Sequence, residues 1–285
     1  MLKGKFVSSG CLPFLSDLGT RRDIVAKPAR SAAQTWSCAT KALLSCLAGA
    51  TLFSTTAPAQ QVQSGNSSQT CGIPSATVTK VQSQLAKVVN LSDGNGGIFQ
   101  PNLMWSAVVD RSGILCSVIV TGDAWPGSRA IAIAKAETAN DFSNQKLALS
   151  TANLYGPTQP GGSLYGLNNS NPFNAFYNQI TTGAGLGTGV GQNPGGIITF
   201  GGGVALYSNG KVIGGLGVSG DSSCADHAIA FRMRLLAGLN VLPAGVAPDN
   251  TDNIIYAPAG TAPTGFEQPH CFPSDLTPGQ IETIP

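Results

Sequence analysis

The chain has 285 residues, of which only 11% are charged, with 36 glycines and a formal net charge of +2. This length suits one domain with a sizeable core or two small ones, and the weakly charged, Gly-, Ser-, Thr- and Asn-rich composition fits an exported protein better than a cytosolic enzyme. It shows no basic stripe for nucleic acid and no apolar run of membrane-spanning length.

Arg21, Arg22, Lys27, Arg30 and Lys41 form a basic lead to a 13-residue apolar stretch at 42–54 (ALLSCLAGATLFS), followed by Ala57-Pro58-Ala59. These are the parts of a secretory signal over residues 1–59, cleaved after Ala59, and they predict a periplasmic or secreted protein. Arg21-Arg22 hints at the twin-arginine route but stands well upstream of the apolar stretch, so the choice between export routes stays open. Seven of the 16 Lys+Arg and two of the 14 Asp+Glu fall in 1–59, which leaves the remainder near −3. Cys11, Cys38 and Cys46 also fall there. Cys71, Cys116, Cys224 and Cys271 remain, an even number that reads as two structural disulfides with three pairings open.

Residues 60–73 read as a flexible lead. Pro74-Ser75 opens a helix with Val78, Val81, Leu85 and Val88 at helical spacing, and 93–101 (DGNGGIFQP) is a breaker-rich loop. Strands at 104–109 and 114–120, joined by Asp110-Arg111-Ser112-Gly113, form a hairpin. Ser128 is placed to cap a helix running to about Phe142, with Ile131, Ala134, Thr138 and Phe142 on one face. Residues 154–196 become rich in Gly, Asn, Pro and Thr and read as a long ordered insertion, anchored by Tyr155, Tyr165, Phe173, Phe176 and Tyr177. Short strands at 197–200 and 204–207 precede the Asn209-Gly210 hairpin turn and a returning strand at 211–218. A helix at 226–239 closes the domain of 74–240, and a Pro-rich tail at 241–285 follows, pinned if Cys271 is bridged. This order of elements is α+β with an antiparallel sheet, not repeated βαβ units.

Gly215 to Gly220 (GLGVSG) has the G-x-G-x-x-G spacing of a dinucleotide-binding turn. The required context is missing. The entering strand leaves a hairpin, the position twenty beyond Gly220 is Asn240, and no carboxylate lies between Asp226 and Asp249. A nucleophile elbow fails as well, because Asp221 stands where G-x-S-x-G needs glycine.

Gly201-Gly202-Gly203-Val204, then Gly214-Gly215-Leu216-Gly217-Val218-Ser219-Gly220, then Asp226 and Ala230, resembles the C-terminal signature of the GlcG/HbpS-like haem-binding family, also called haem-degrading domain proteins. Ala134-Lys135-Ala136-Glu137-Thr138-Ala139 with Phe142 resembles that family's K-A-x-T-A helix. The resemblance implies a profilin-like or PAS-like α+β domain, a five-stranded antiparallel sheet with flanking helices, assembled as a homo-oligomer. In it the glycines serve close packing of the last strand and the turn into the last helix. It also implies haem or another tetrapyrrole as ligand, with iron binding or slow haem breakdown in some members. Two other classes compete: a cofactor-free module that docks an exported protein partner, and a small-metabolite enzyme using Lys135 or Asp226.

The family's axial ligands vary, so none is carried over. Haem iron takes His, Met, Cys or Tyr. His227 and His270 each lie near a cysteine (Cys224-x-x-His227 and His270-Cys271), so a Cys224–Cys271 bridge would bring them together as a metal or haem-edge site. Tyr165 is a further ligand candidate, and Arg129 and Lys135 are candidates to pair with haem propionates. Each has a plainer role, as a surface or capping histidine, a loop anchor or a solvated helical charge. A zinc site built from Cys224, His227, His270 and Cys271 is opposed by the adjacent His-Cys and by export, which favours the disulfide.

Overall fold

The computed structural model of the chain describes residues 69–174 and 189–285. The signal expected at 1–59, and Phe176 and Tyr177 of the insertion, lie outside the described residues. Four strands, β1 (Trp105–Asp110), β2 (Leu115–Val120), β3 (Gly203–Ser208) and β4 (Lys211–Ser219), form an antiparallel sheet in the order β2-β1-β4-β3. Trp105 lies opposite Val120 in the first hairpin, and Ala107 lies opposite Gly217 where β1 meets β4. The β3–β4 turn holds Asn209 and Gly210 at φ 51° and 72°, as type I′ geometry requires.

Both faces of the sheet are covered, which is why all six residues of β1 are buried. On one face helix α3 (Ser128–Asp141) packs Ala132, Ile133 and Ala136 against Trp105, Ala107, Val109 and Leu115. The other face carries α1 (Ser75–Gln82), α2 (Leu85–Val88) and α5 (Ser223–Leu236). There Val81, Leu85, Ile229 and Met233 meet Met104, Val108, Leu206, Leu216 and Val218. The short α4 (Tyr155–Thr158) and α6 (Pro278–Ile281) lie in the insertion and the tail.

Helix α3 comes this close because β4 offers it no side chains. A Cβ on Gly217 would stand 1.9 Å from the Ala132 carbonyl oxygen, and one on Gly215 2.0 Å from that of Ala136. A Cβ on Gly220 would stand 1.9 Å from the Leu103 carbonyl oxygen. The G-x-G-x-x-G spacing thus lets helix backbone rest on strand backbone.

Several elements depart from expectation. The first helix divides at Ser83-Gln84 into α1 and α2. Ser128 lies inside α3, whose N-cap is Gly127 with no side-chain cap. Rather than showing one apolar face, α3 is buried on nearly every side, since the 193–203 segment and the Gly113 turn cover what the sheet leaves. Among the described residues the sheet has four strands and not five, because 197–200 does not pair into it. Side chains take the amides in this stretch: Ile198 N donates to Thr138 Oγ1 at 3.0 Å and Gly201 N to Gln268 Oε1 at 2.7 Å. Helix α5 starts at Ser223 and not at 226, capped by the Ser222 hydroxyl, which accepts from Ala225 N at 3.2 Å.

The disulfides are Cys71–Cys116 and Cys224–Cys271, with Cα–Cα separations of 5.2 and 6.0 Å. The first fastens the lead into α1 onto β2, and the second fastens the first turn of α5 to the tail. The tail is built into the core, where Ile254, Leu276 and Ile281 pack with Ala228 and Phe231. Two arginines on α5 hold it further. Arg234 forks onto Asp252, with Nη1 donating to Oδ2 at 2.7 Å, and both side chains are fully buried. Arg232 donates to Asp93 and to the carbonyls of Gln280, Ile281 and Thr283.

Candidate functional site

The two sequence blocks meet in a buried ion pair. Lys135 on α3 and Asp226 on α5 lie 2.7 Å apart, with side chains 0% and 2% exposed. Lys135 Nζ also donates to the Val218 carbonyl at 3.1 Å, while Asp226 Oδ1 accepts from Gly220 N at 3.1 Å and Asp221 N at 3.0 Å. Gly202, at φ +122°, roofs the pair, for a Cβ there would stand 2.7 Å from Nζ. The Phe200 ring centroid lies 4.8 Å from the same nitrogen. Burial pushes the Lys135 ammonium down, and it pushes the Asp226 carboxyl up to about 6 against the pull of Lys135. Sealed in this way, the pair is a strut between the two helical layers, and neither charge faces outward to hold a propionate.

Glu137, two positions along α3, is also buried, 2% exposed, and its Oε1 has no hydrogen-bond partner among the described residues. The turn at Gly113 presses on it so closely that a Cβ there would lie 2.9 Å from Oε2. Burial, reinforced by the charges of Asp141 and Asp110, pushes this carboxyl up to about 9, so it carries a proton at neutral pH.

The two histidines occupy different environments. His227 is fully buried on α5, and its Nε2 accepts the Ile254 N–H at 3.0 Å. Its Nδ1 is buried without a partner among the described residues, and burial pushes the ring down to about 4, leaving it neutral. His270 is half exposed, stacked 3.8 Å from the Tyr256 ring, with Nδ1 3.2 Å from Asp275 Oδ2. The Cys224–Cys271 bridge therefore joins the two segments that carry the histidines, but each ring is engaged by its own partners. Arg129 is buried in the first turn of α3, and burial lowers its pKa. Tyr165 is 69% exposed.

None of these five residues lines a cleft of about 670 Å³ between the insertion and the tail, whose apolar walls come from Phe142, Leu149, Leu154, Leu164 and Phe266. Sequence reasoning missed Glu137, Arg232, Arg234 and Asp275. For the arginines a signal existed, since AFRMRLL sets each between apolar neighbours and so announces a helix buried all round. Nothing local marks Asp275.

Residues 102–233 match the family model described as Haem degrading protein HbpS-like, and the chain carries a domain that belongs to this family. No curated protein matches the chain. Among solved structures it is similar to protein ORFY of Klebsiella pneumoniae, at 25% identity over 61% of this chain and 96% of that one, with a TM-score of 0.42. It is similar to the protein of a PduOC:haem complex at 25% identity, over 58% and 94% of the two chains, with a TM-score of 0.41. A double mutant of Streptomyces reticuli HbpS aligns at 20% identity over 62% and 94%, with a TM-score of 0.34. Among the described residues no helix is long and apolar enough to cross a membrane.

Proposed function

We propose that this protein is an exported binder of haem or another tetrapyrrole, acting in tetrapyrrole or iron handling. The observation that carries this reading is the match of 102–233 to the haem-degrading HbpS-like family. The cleft of about 670 Å³ supports it, because its apolar walls, with Gln159, Ser163 and Thr264 as polar contacts, suit a flat apolar body. The lining fits the macrocycle and not the iron, since among the described residues no His, Met, Cys or Tyr lines it. Of the two histidines, only His270 has a side chain that an outside ligand reaches. The reading is therefore of a binding protein, with no redox step assigned to the chain. Two disulfides support a destination outside the reducing cytosol.

A second reading, the docking of an exported protein partner or another copy of the chain, is favoured by one surface feature. Ile98 and Trp125 are 60% and 55% exposed, and the Trp125 ring lies 6.1 Å from that of Phe99. Haem titration of the chain from Gln60, followed by its Soret absorbance, tests the first reading. A saturable one-to-one shift that Phe266→Asp weakens, with His270→Ala reporting on the iron, is the expected result. A flat response, or one that Phe266→Asp leaves untouched, overturns the cleft as a tetrapyrrole site and turns attention to the Trp125 surface.

A further inference from the structure

The Cys224–Cys271 disulfide has an unusual neighbour. Both sulfurs and a carboxylate oxygen of Asp275 lie within 4.8 Å of one another. The Asp275 side chain is 1% exposed. Its Oδ2 is anchored, accepting from Cys271 N at 2.6 Å and Phe272 N at 3.2 Å and lying 3.2 Å from His270 Nδ1. Its Oδ1 is buried and has no partner among the described residues. The Tyr256 hydroxyl, within reach of the Asp275 charge, is likewise buried without a partner among them. A buried carboxylate oxygen with nothing to bind is costly, and a cation is the group that answers it best.

We propose that Cys224 and Cys271, once reduced, form with Asp275 a site for a soft divalent cation of the zinc class. Thiolate and carboxylate oxygen are a donor set that zinc accepts, with a fourth position left for water. The site is gated by the state of the cysteines. Zinc is ligated by thiolates and not by the sulfurs of a disulfide, so the bond must break before the ion enters. Donors already surround the sulfurs. Cys224 N lies 3.2 Å and Ser223 Oγ 3.3 Å from Cys271 Sγ, and Gln268 Nε2 lies 3.5 Å from Cys224 Sγ. Placed at the first turn of the 14-residue α5, they favour the thiolate over the thiol.

A dithiol reductant opens the site in two exchanges. Its thiolate attacks the Sγ of Cys271, the more exposed of the two cysteines, the S–S bond breaks and Cys224 leaves as thiolate. The reductant's second thiol, as thiolate, then attacks the reductant's own sulfur in the mixed disulfide, so that Cys271 leaves as thiolate and the reductant is released oxidised. Two electrons pass to the cysteine pair, and any proton taken up by either sulfur is released when the cation binds. The ligand set differs from the one suggested by the sequence, for the carboxylate replaces both histidines and His270 acts only by holding Oδ2.

The other disulfide supplies an internal control. Cys71, Cys116 and Asp110 also bring their ligand atoms within 4.8 Å of one another. There, however, Oδ2 accepts from Gly72 N and Oδ1 from Ser112 N and Ile114 N, so no oxygen is left over. The test is an anaerobic Co²⁺ titration of the chain reduced with a phosphine, read as thiolate-to-cobalt charge-transfer absorption, with circular dichroism followed alongside. One equivalent is expected to bind the reduced chain and none the oxidised chain. Asp275→Asn should weaken binding by at least about tenfold, Asp110→Asn should leave it unchanged, and Cys71→Ser with Cys116→Ser should retain it. The proposal is overturned if the reduced chain binds no Co²⁺, if Asp275→Asn binds as tightly as the unmodified chain, if binding follows Cys71 and Cys116, or if reduction unfolds the protein.

Discussion

Glu137 makes the energetics of this fold testable through a single proton. An ordinary glutamate in an unfolded chain titrates near 4.5, whereas burial beneath the Gly113 turn moves it to about 9 in the folded protein. A carboxyl whose folded value is the higher one binds its proton more tightly in the native state. Its contribution is therefore complete below the unfolded value and is lost as pH rises towards the folded one. Between pH 5 and 8 the native state keeps the proton and the unfolded chain has released it, so stability falls by about 1.4 kcal/mol for each pH unit, about 4 kcal/mol in all. Glu137→Gln keeps the shape and removes the titration. Its thermal midpoint should stay level, as far as this group is concerned, where that of the unmodified chain falls by about 10 °C. Asp226, also raised by burial, titrates in both proteins and cancels in the difference. Thermal melts of both at pH 5, 6, 7 and 8 measure it directly. A difference in midpoint that stays constant across that range would falsify the account of a protonated, unsolvated Glu137.

Two further outcomes follow from the same packing. Gly217→Ala places a methyl 1.9 Å from the Ala132 carbonyl oxygen, and overpacking of this kind should lower stability by about 3 kcal/mol or more in urea denaturation. Gly279→Ala, where a methyl meets nothing within 4 Å, should be silent in the same assay. Lys135→Met strands the Asp226 charge inside the protein and should lower stability by about 3–5 kcal/mol. Adding Asp226→Asn should restore part of that, and a double-mutant cycle in urea with no coupling between the two would count against the strut.

The hairpins were legible because their signals are local: Asn209-Gly210 carries its turn type in its own backbone, and the β-forming runs on either side of Asp110-Arg111-Ser112-Gly113 flank a polar turn. The role of the glycines was legible through the family resemblance, once the dinucleotide context was seen to be missing. The stretch at 197–200 misled because its β-forming composition is local, while the groups that claim the amides of Ile198 and of the following Gly201, Thr138 and Gln268, lie far away in sequence. His227 misled in the same way. Its spacing from Cys224 fixes a helical offset, but only the arrival of Asn253 and Ile254 decides that the ring faces inward. Charge pairs are the least legible of all. Arg232 meets Asp93 from 139 residues away, and no pattern near either residue announces the other.

The same Arg232 makes the tail a fixture of the domain. One guanidinium gathers Asp93 and Asn95 from ahead of β1 together with the carbonyls of Gln280, Ile281 and Thr283. Without residues 276–283, α5 would hold a buried guanidinium only partly satisfied, and the layer it closes would lack Leu276 and Ile281. The tail thus works as a keystone, set against two distant stretches of the chain at once.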